Sequence, residues 1–445
     1  MDTLLGLTTG TPDGGVSVFR LSGPQAIAIA CALVGRRAAA RRLVLAKLRL
    51  PDGGEEECMV VFMDGPHSFT GEDVVEFHIH GGERNVEVVR EAILAQGGVA
   101  AGPGDFSKRA FANGRRSLDE LEGMAALIAA RSRSALDQAR RLIAGELGRE
   151  VELMGAALEH FRVEIEAYLD FPEDFGEAEI DRFLKTAEDQ LKILQRWRER
   201  FELGRRAREG ARVVLAGPPN AGKSALFNAL LAKKRALVSN RPGTTRDYVE
   251  SQLELEGREI VLVDTAGLRS STDDLEEAGM LLSEEQIEGA DMLLWIEAAD
   301  QRDCPARERM ECLVARSRVE VIFVENKRDL TCTRPSWLGV IAQSEDAEQN
   351  GLAPLRERIV AWFGDAQEAW IGLARHRARA HEAEQALAGV CRLLRSTTDE
   401  GKLELVAFEL QVVERRLGEI RGHSGLGPVG SDILNTIFSS FCIGK

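Results

Sequence analysis

Gly217-Pro218-Pro219-Asn220-Ala221-Gly222-Lys223-Ser224 fits the pattern G-x-x-x-x-G-K-[ST]. An apolar run, 213–216, leads into it and a helix-forming run, 225–231, leads out, the strand–loop–helix setting in which this spacing cradles phosphate. The glycines let main-chain N–H groups curl around an anion, and the helix that follows adds the positive end of its dipole. Lys223 supplies a point cation and Ser224 a hydroxyl able to ligate Mg²⁺. Further buried-type strands at 260–263, 292–296 and 319–324 predict an α/β domain around this loop, spanning 208–365.

Two of those strands end on residues that suit the same ligand. Asp264-Thr265-Ala266-Gly267 follows 260–263, where a carboxylate holds Mg²⁺ through water and the Gly267 N–H meets a γ-phosphate. Thr244 and Thr245 lie between the two motifs, placed to fold a hydroxyl onto the metal. Asn326-Lys327-Arg328-Asp329 follows 319–324. A carboxylate at Asp329 accepts two hydrogen bonds from the N1–H and 2-amino groups of guanine; adenine lacks that donor pair and would leave the charge unpaired. Binding of GTP and GDP and hydrolysis of GTP are the expectation. Small signalling GTPases carry a water-orienting Gln where this chain has Leu268. Glu276, in the acidic run 273–277, is one candidate replacement; a solvated helix N-terminus also favours such acids.

Around this domain the composition changes. Residues 1–115 alternate short strand-like runs (16–21, 59–63, 74–80) with helical patterns at 25–34 and 85–94. Stretches 118–208 and 366–418 repeat Ala, Leu, Ile and Glu at helical spacing, with a break at Phe171-Pro172. The expected fold is therefore mixed, α/β and all-α. An N-terminal α/β domain covers 1–115, a discontinuous helical domain covers 116–207 and 366–445, and the P-loop domain is inserted at 208–365. Hydrophobic residues make up 44% and charged residues 29%, and net charge is −15. That balance argues against a chain coated by nucleic acid, while leaving room for basic clusters such as Arg36-Arg37, Arg41-Arg42, Lys108-Arg109, Arg115-Arg116 and Arg375, Arg377, Arg379. Seven cysteines with no C-x-x-C pair point to a reducing cytoplasm rather than a disulfide or zinc framework. No apolar run is long enough for a membrane span, and the first twenty residues lack a signal-peptide pattern.

The nucleotide motifs, Gly243-Thr244-Thr245-Arg246-Asp247, the ending Phe438-Ser439-Ser440-Phe441-Cys442-Ile443-Gly444-Lys445 and four N-terminal stretches resemble the MnmE (TrmE) family of tRNA wobble-uridine modification GTPases. The four stretches are Gly14-Gly15-Val16, Ser68-Phe69-Thr70-Gly71-Glu72-Asp73, His80-Gly81-Gly82 and Gly102-Pro103-Gly104-Asp105-Phe106-Ser107. The resemblance implies an N-terminal domain that dimerises and binds a 5-formyltetrahydrofolate-type cofactor, with contacts on Arg20, Glu76, Arg115 and Lys445. It implies GTP contacts on Asn220, Ala221, Gly222, Lys223, Ser224, Ala225, Ser239, Thr244, Thr245, Asp264, Thr265, Ala266, Gly267, Asn326, Lys327, Asp329 and Ala342. Mg²⁺ falls to Ser224 and Thr245, and a hydrolysis-activating K⁺ to Asn220, Thr244 and main-chain carbonyls near Ser239 and Arg241. Glu276 matches the family's water-orienting acid, Arg246 lies in its switch loop and Cys442 is its C-terminal thiol.

The resemblance further implies a homodimer that joins a FAD-carrying MnmG-type partner in a heterotetramer. Together they would act on tRNA, adding an aminomethyl-type (carboxymethylaminomethyl) group at C5 of the wobble uridine. Three positions depart from the family pattern: Ile341-Ala342-Gln343-Ser344 blurs the second guanine loop, Pro242 stiffens the K⁺ loop, and Ser117 replaces an acid. Alternative readings are a GTP-regulated RNA or ribosome assembly factor and a folate-dependent one-carbon enzyme with a regulatory GTPase.

Overall fold

The computed structural model describes residues 2–10, 14–171, 178–231, 249–264, 286–287, 289–300, 305–317, 319–329, 334, 336–344, 350–363, 373–396, 400–424, 427–428, 434, 437–439 and 441. Its contacts form two compact units: 1–125 with 142–188 and 382–445, and 126–141 with 189–381.

In the first unit, β1 (Leu4–Leu7), β2 (Val16–Ser22), β3 (Val44–Arg49), β4 (Glu55–Met63), β5 (Val74–His80) and β6 (Val99–Ala100) form one sheet in the order β3-β4-β5-β2-β1-β6. Only the β1–β6 pair is parallel. Period-two alternation decides the faces. Phe19, Leu21, Val60, Phe62, Val75, Phe77 and Ile79 turn inward onto α1 (Ala26–Val34) and α2 (Glu83–Ala95), where Ile29, Leu33, Val89 and Ile93 meet them. Arg20, Glu76 and His78 alternate with these buried positions and so occupy the opposite face. Helix α3 (Asp105–Ala112) follows β6.

The helical part comprises α4 (Leu118–Ala129), α5 (Arg133–Ile143), α6 (Glu146–Asp170) and α7 (Ala178–Glu209). Far along the chain come α11 (Ala374–Arg395) and α12 (Glu400–Arg421). Buried Val151, Met154, Leu158, Phe161 and Ile165 on α6 repeat at alternating steps of three and four. So do Leu403, Val406, Leu410, Val413, Leu417 and Ile420 on α12. Two such stripes pack lengthwise. The ion pairs Arg162–Glu414 (3.0 Å) and Arg421–Glu152 show that these helices run antiparallel. This pairing unites the two helical stretches across the inserted domain. The chain end closes on the same unit: Phe438 and Phe441 pack with Ala110, Leu118 and Leu121. Gly104, at φ 70°, has no room for a side chain there, because a Cβ would lie 2.4 Å from the Phe438 carbonyl oxygen.

The second unit holds β7 (Ala211–Ala216), α8 (Lys223–Leu231), β8 (Val249–Leu255), β9 (Arg258–Asp264), β10 (Met292–Ala298), α9 (Pro305–Ser317), β11 (Glu320–Asn326), β12 (Leu338–Gly339) and α10 (Leu352–Trp362). The sheet order is β12-β11-β10-β7-β9-β8, parallel except for the edge strand β8. Strands after β7 are added first on one side and then on the other. The switch point therefore falls between β7 and β10, where ligands bind outside the carboxyl ends of such sheets. Every residue of β10 is buried, as a central parallel strand covered on both faces requires.

Candidate functional site

At the carboxyl end of β7 the loop geometry admits only glycine at two points. Gly217 has φ 148°, and a Cβ there would lie 2.0 Å from the Ile296 carbonyl oxygen; Gly222 has φ 89°, with a Cβ 2.1 Å from Asn326 Nδ2. Asn220 adopts a left-handed φ of 62° between them. The loop closes on its own lysine: Lys223 Nζ donates to the carbonyls of Gly217 (2.9 Å) and Pro218 (3.0 Å) and is nearly buried. Ser224 and Ala225 lie in the first turn of α8, whose N-terminal amides point into the loop.

Asn326 joins this cradle to the base-reading loop. Its side chain is 2% exposed; Nδ2 donates to the Ala221 carbonyl (2.9 Å) and Oδ1 accepts from the Ala342 N–H (3.2 Å). Three sequence-predicted segments thus meet on one amide. Ala342 takes part through its main chain, so the blurred side-chain pattern of 341–344 does not remove it from the site. Lys327 takes the left-handed conformation (φ 58°), and Asp329 is exposed just beyond the carboxyl end of β11. Asp264 ends β9 opposite Leu215 of β7, 3% exposed, beside the phosphate cradle. Ser239, Arg241, Thr244, Thr245, Arg246, Thr265, Ala266, Gly267, Glu276, Cys442 and Lys445 lie outside the described residues.

Sequence reasoning missed an acidic pair beside this loop. Glu297 and Glu325, cross-strand neighbours near the ends of β10 and β11, are both completely buried. Arg334 reaches each of them, through NH2 to Glu297 (2.9 Å) and NH1 to Glu325 (3.6 Å). Nothing local in either strand signals these partners.

On the outer face of the N-terminal sheet, Arg20 and Glu76 are cross-strand neighbours joined by two contacts, Nε at 2.8 Å and NH2 at 2.7 Å. The guanidinium also lies 5.9 Å from the Phe106 ring, and His78 Nε2 is 3.6 Å from the second Glu76 oxygen. The Arg115 side chain runs alongside Gly71, where a Cβ would meet its Cγ at 3.0 Å. The Ser68–Asp73 motif has an internal task that its sequence did not reveal. Glu72 accepts from Arg109 (3.0 Å) and Ser22 (2.8 Å), while Ser22 Oγ lies 2.7 Å from Thr70 Oγ1. His80 pairs with Glu56 at 2.9 Å, and no cluster of three metal-ligating side chains occurs among the described residues. Several candidate RNA-contacting cations serve the fold: Arg37 binds Asp64, Arg36 the Leu45 carbonyl, and Arg377 lies over Phe201.

Against known proteins, the family model described as the GTP-binding protein TrmE N-terminus matches residues 3–115, and that described as the MnmE helical domain matches 118–442. The tRNA modification GTPase MnmE of Alkalilimnicola ehrlichii is 38% identical over 459 residues, covering 100% of this chain and 99% of that protein. The protein of the same name from Parvibaculum lavamentivorans is 37% identical over 456 residues, covering 100% of both. Among solved structures, the G domain of the T. maritima FeoB iron transporter matches 34% of this chain and 98% of that one, at 26% identity and a TM-score of 0.26. With both family models matched and relatives aligned over the whole chain, the protein belongs to the MnmE (TrmE) family of tRNA modification GTPases.

Proposed function

We propose that the protein hydrolyses GTP to GDP and phosphate, with K⁺ as activator, to drive the addition of a carboxymethylaminomethyl-type group at C5 of the wobble uridine of tRNA. The observation that carries the GTPase part is the Asn326 amide, which binds the phosphate cradle and the base-reading loop into one site. Lys223 would exchange its two loop carbonyls for phosphate oxygens, with main-chain amides of 217–224 and the α8 N-terminus completing the grip. Asp329 would select guanine. Magnesium fits here: a nearly buried carboxylate, Asp264, stands at the strand end next to the loop bearing Ser224. It would neutralise charge on the β- and γ-phosphates. Asn220, held left-handed on the loop, suits a cation-facing carbonyl donor, with Thr244 and main-chain carbonyls near Ser239 and Arg241 as further K⁺ ligands and Thr245 on magnesium. Glu276 would orient the attacking water and Arg246 serve the switch loop.

The tRNA part rests on family membership over the whole chain. A folate fits the outer face of the N-terminal sheet in its chemistry. The Glu76 carboxylate suits the N–H donors of a pterin, and the guanidiniums of Arg20 and Arg115 suit its carbonyl and glutamate tail. Lys445 would add a cation to this set and Cys442 a thiol near the chemistry, both on family membership alone. We further propose a homodimer, a FAD-carrying MnmG-type partner and a cytoplasmic location; no helix among the described residues is long and apolar enough to cross a membrane.

The deciding experiment is mass spectrometry of tRNA nucleosides from cells with and without the gene. Loss of the wobble modification is expected, and normal modification would overturn the tRNA reading in favour of an assembly factor. Turnover should rise when K⁺ replaces Na⁺, and indifference to the ion would reject the Asn220 role.

A further inference from the structure

A carboxylate in the fully buried part of a parallel strand is costly unless it is paired and hydrogen-bonded. Here two stand side by side, Glu297 on β10 and Glu325 on β11, each with no exposed surface. Glu297 is the better satisfied. It accepts from Trp295 Nε1 (2.8 Å), from Arg307 Nε (2.7 Å) and NH2, and from Arg334 (2.9 Å). Burial pushes its carboxyl up, but these hydrogen bonds and the Arg307 and Arg334 charges outweigh it and hold the group below the usual range, so it is ionised at neutral pH. Glu325 faces Arg334 at 3.6 Å and Arg328 at 3.7 Å. The guanidiniums are themselves fixed: the Trp337 ring lies under Arg334 (4.8 Å) and Arg307 (5.1 Å), and the Trp337 main-chain N–H donates to the Arg334 carbonyl (3.0 Å).

The position of this knot in the fold gives it a role. Glu325 immediately precedes Asn326, and its carbonyl accepts from the Val340 N–H (2.8 Å). The end of β11 and the segment carrying Ala342 are therefore laced together at the residue next to the amide that closes the nucleotide site. Two like charges on neighbouring strands push those strands apart unless a cation spans them. Arg334 spans them, with a further contact to the Ala298 carbonyl (3.5 Å).

We propose that Arg334 is a positioning residue for guanine recognition: by bridging Glu297 and Glu325 it fixes the strand end that presents Asn326 and Asp329 to the nucleotide. This rests on the nucleotide-site reading above. In this role Arg334 acts through those two residues rather than on the nucleotide. Its removal should loosen base reading while sparing chemistry once nucleotide is bound.

The test uses the full chain with Arg334→Met and Arg334→Lys, measuring dissociation constants for GDP, GTP and ITP, turnover at saturating GTP, and melting temperature. ITP lacks the 2-amino donor, so the GTP-to-ITP ratio reports how well Asp329 is placed. Arg334→Met is expected to weaken GDP and GTP by about tenfold or more, the scale of a broken buried pair. The same variant should shrink the GTP-to-ITP ratio at least about threefold, with saturated turnover within about twofold of wild type. Arg334→Lys keeps the charge but cannot fork to two carboxylates, so it should fall between. Wild-type affinity and an unchanged ratio in Arg334→Met, even with a lowered melting temperature, would overturn the proposal. If that variant does not fold, unchanged values in Arg334→Lys would do the same. Failure of the wild-type chain to bind any guanine nucleotide would strike the site reading itself, and this role of Arg334 with it.

Discussion

Replacing Asn326 by Ala removes one amide and breaks two hydrogen bonds at once: the 2.9 Å bond to the Ala221 carbonyl and the 3.2 Å bond from the Ala342 N–H. Asn326 is 2% exposed, so water cannot simply replace it. Each buried partner left unsatisfied costs about 1–3 kcal/mol, so the pair is worth roughly 2–6 kcal/mol. Since 1.4 kcal/mol is a factor of ten, the full loss corresponds to about 30- to 20,000-fold in an equilibrium constant. Part of it appears as stability of the nucleotide-free domain and the rest as affinity, because both freed loops grip the ligand. A rise of at least about tenfold in the dissociation constant for a fluorescent GDP analogue is expected, measured by equilibrium titration beside a melting curve of the free protein. A rise of about threefold or less, in a variant that still folds, would show that the two loops are held by something other than this amide.

Asp329→Asn should weaken GTP and admit xanthosine triphosphate, because the donor and acceptor pattern facing the base inverts; unchanged guanine preference in competition binding would refute the assignment. Glu297 links stability to pH. Its folded carboxyl lies below the ordinary 4.5, so its stabilisation is full above the unfolded value and is lost as pH falls through the folded one. Denaturant titrations should show the wild type losing stability below about pH 4.5. Glu297→Gln should be weaker by about 3 kcal/mol at pH 7, with a flatter acid limb. Equal acid limbs in the two proteins would argue against the pairing. Cys58 is buried and its thiol is pushed up to about 11 by that burial, helped by Glu56. Iodoacetamide at pH 8 should therefore spare Cys58 in the folded chain while labelling exposed Cys312, and peptide mapping checks this.

What the sequence made legible tracks what is local. The glycine spacing of 217–224, the lysine and the strand-end carboxylates are read from neighbours, and the structure brings Ala221, Gly222, Asn326 and Ala342 together. Whole strands escaped where their patterning is diluted. Leu4–Leu7 contains a glycine, Val44–Arg49 alternates with lysine and arginine, and Val249–Leu255 is an edge strand with polar residues between its leucines. The helical stretches are readable as helices and as parts of one discontinuous domain; which helices pair, α6 with α12, rests on buried stripes that share one alternation of three and four. Glu297 and Glu325 were illegible for a deeper reason. A charge inside an apolar strand contradicts the pattern that defines the strand, and the arginines that resolve the contradiction come from separate segments. Ala342 is the reverse case: its function needs only a main-chain N–H, so any residue except proline would serve and no side chain marks the place.

The seating of Phe438 and Phe441 against Ala110, Leu118 and Leu121 has a bearing on biosynthesis. Phe438 and Phe441, translated long after 110–121, complete an apolar cluster that the earlier residues leave open. Until they emerge from the ribosome that cluster lacks two of its aromatic rings, and the N-terminal part waits on a distant segment of its own chain. A product that stops short of Phe438 would thus carry its own mark of incompleteness, a greasy notch beside Gly104 that chaperones and proteases are equipped to find.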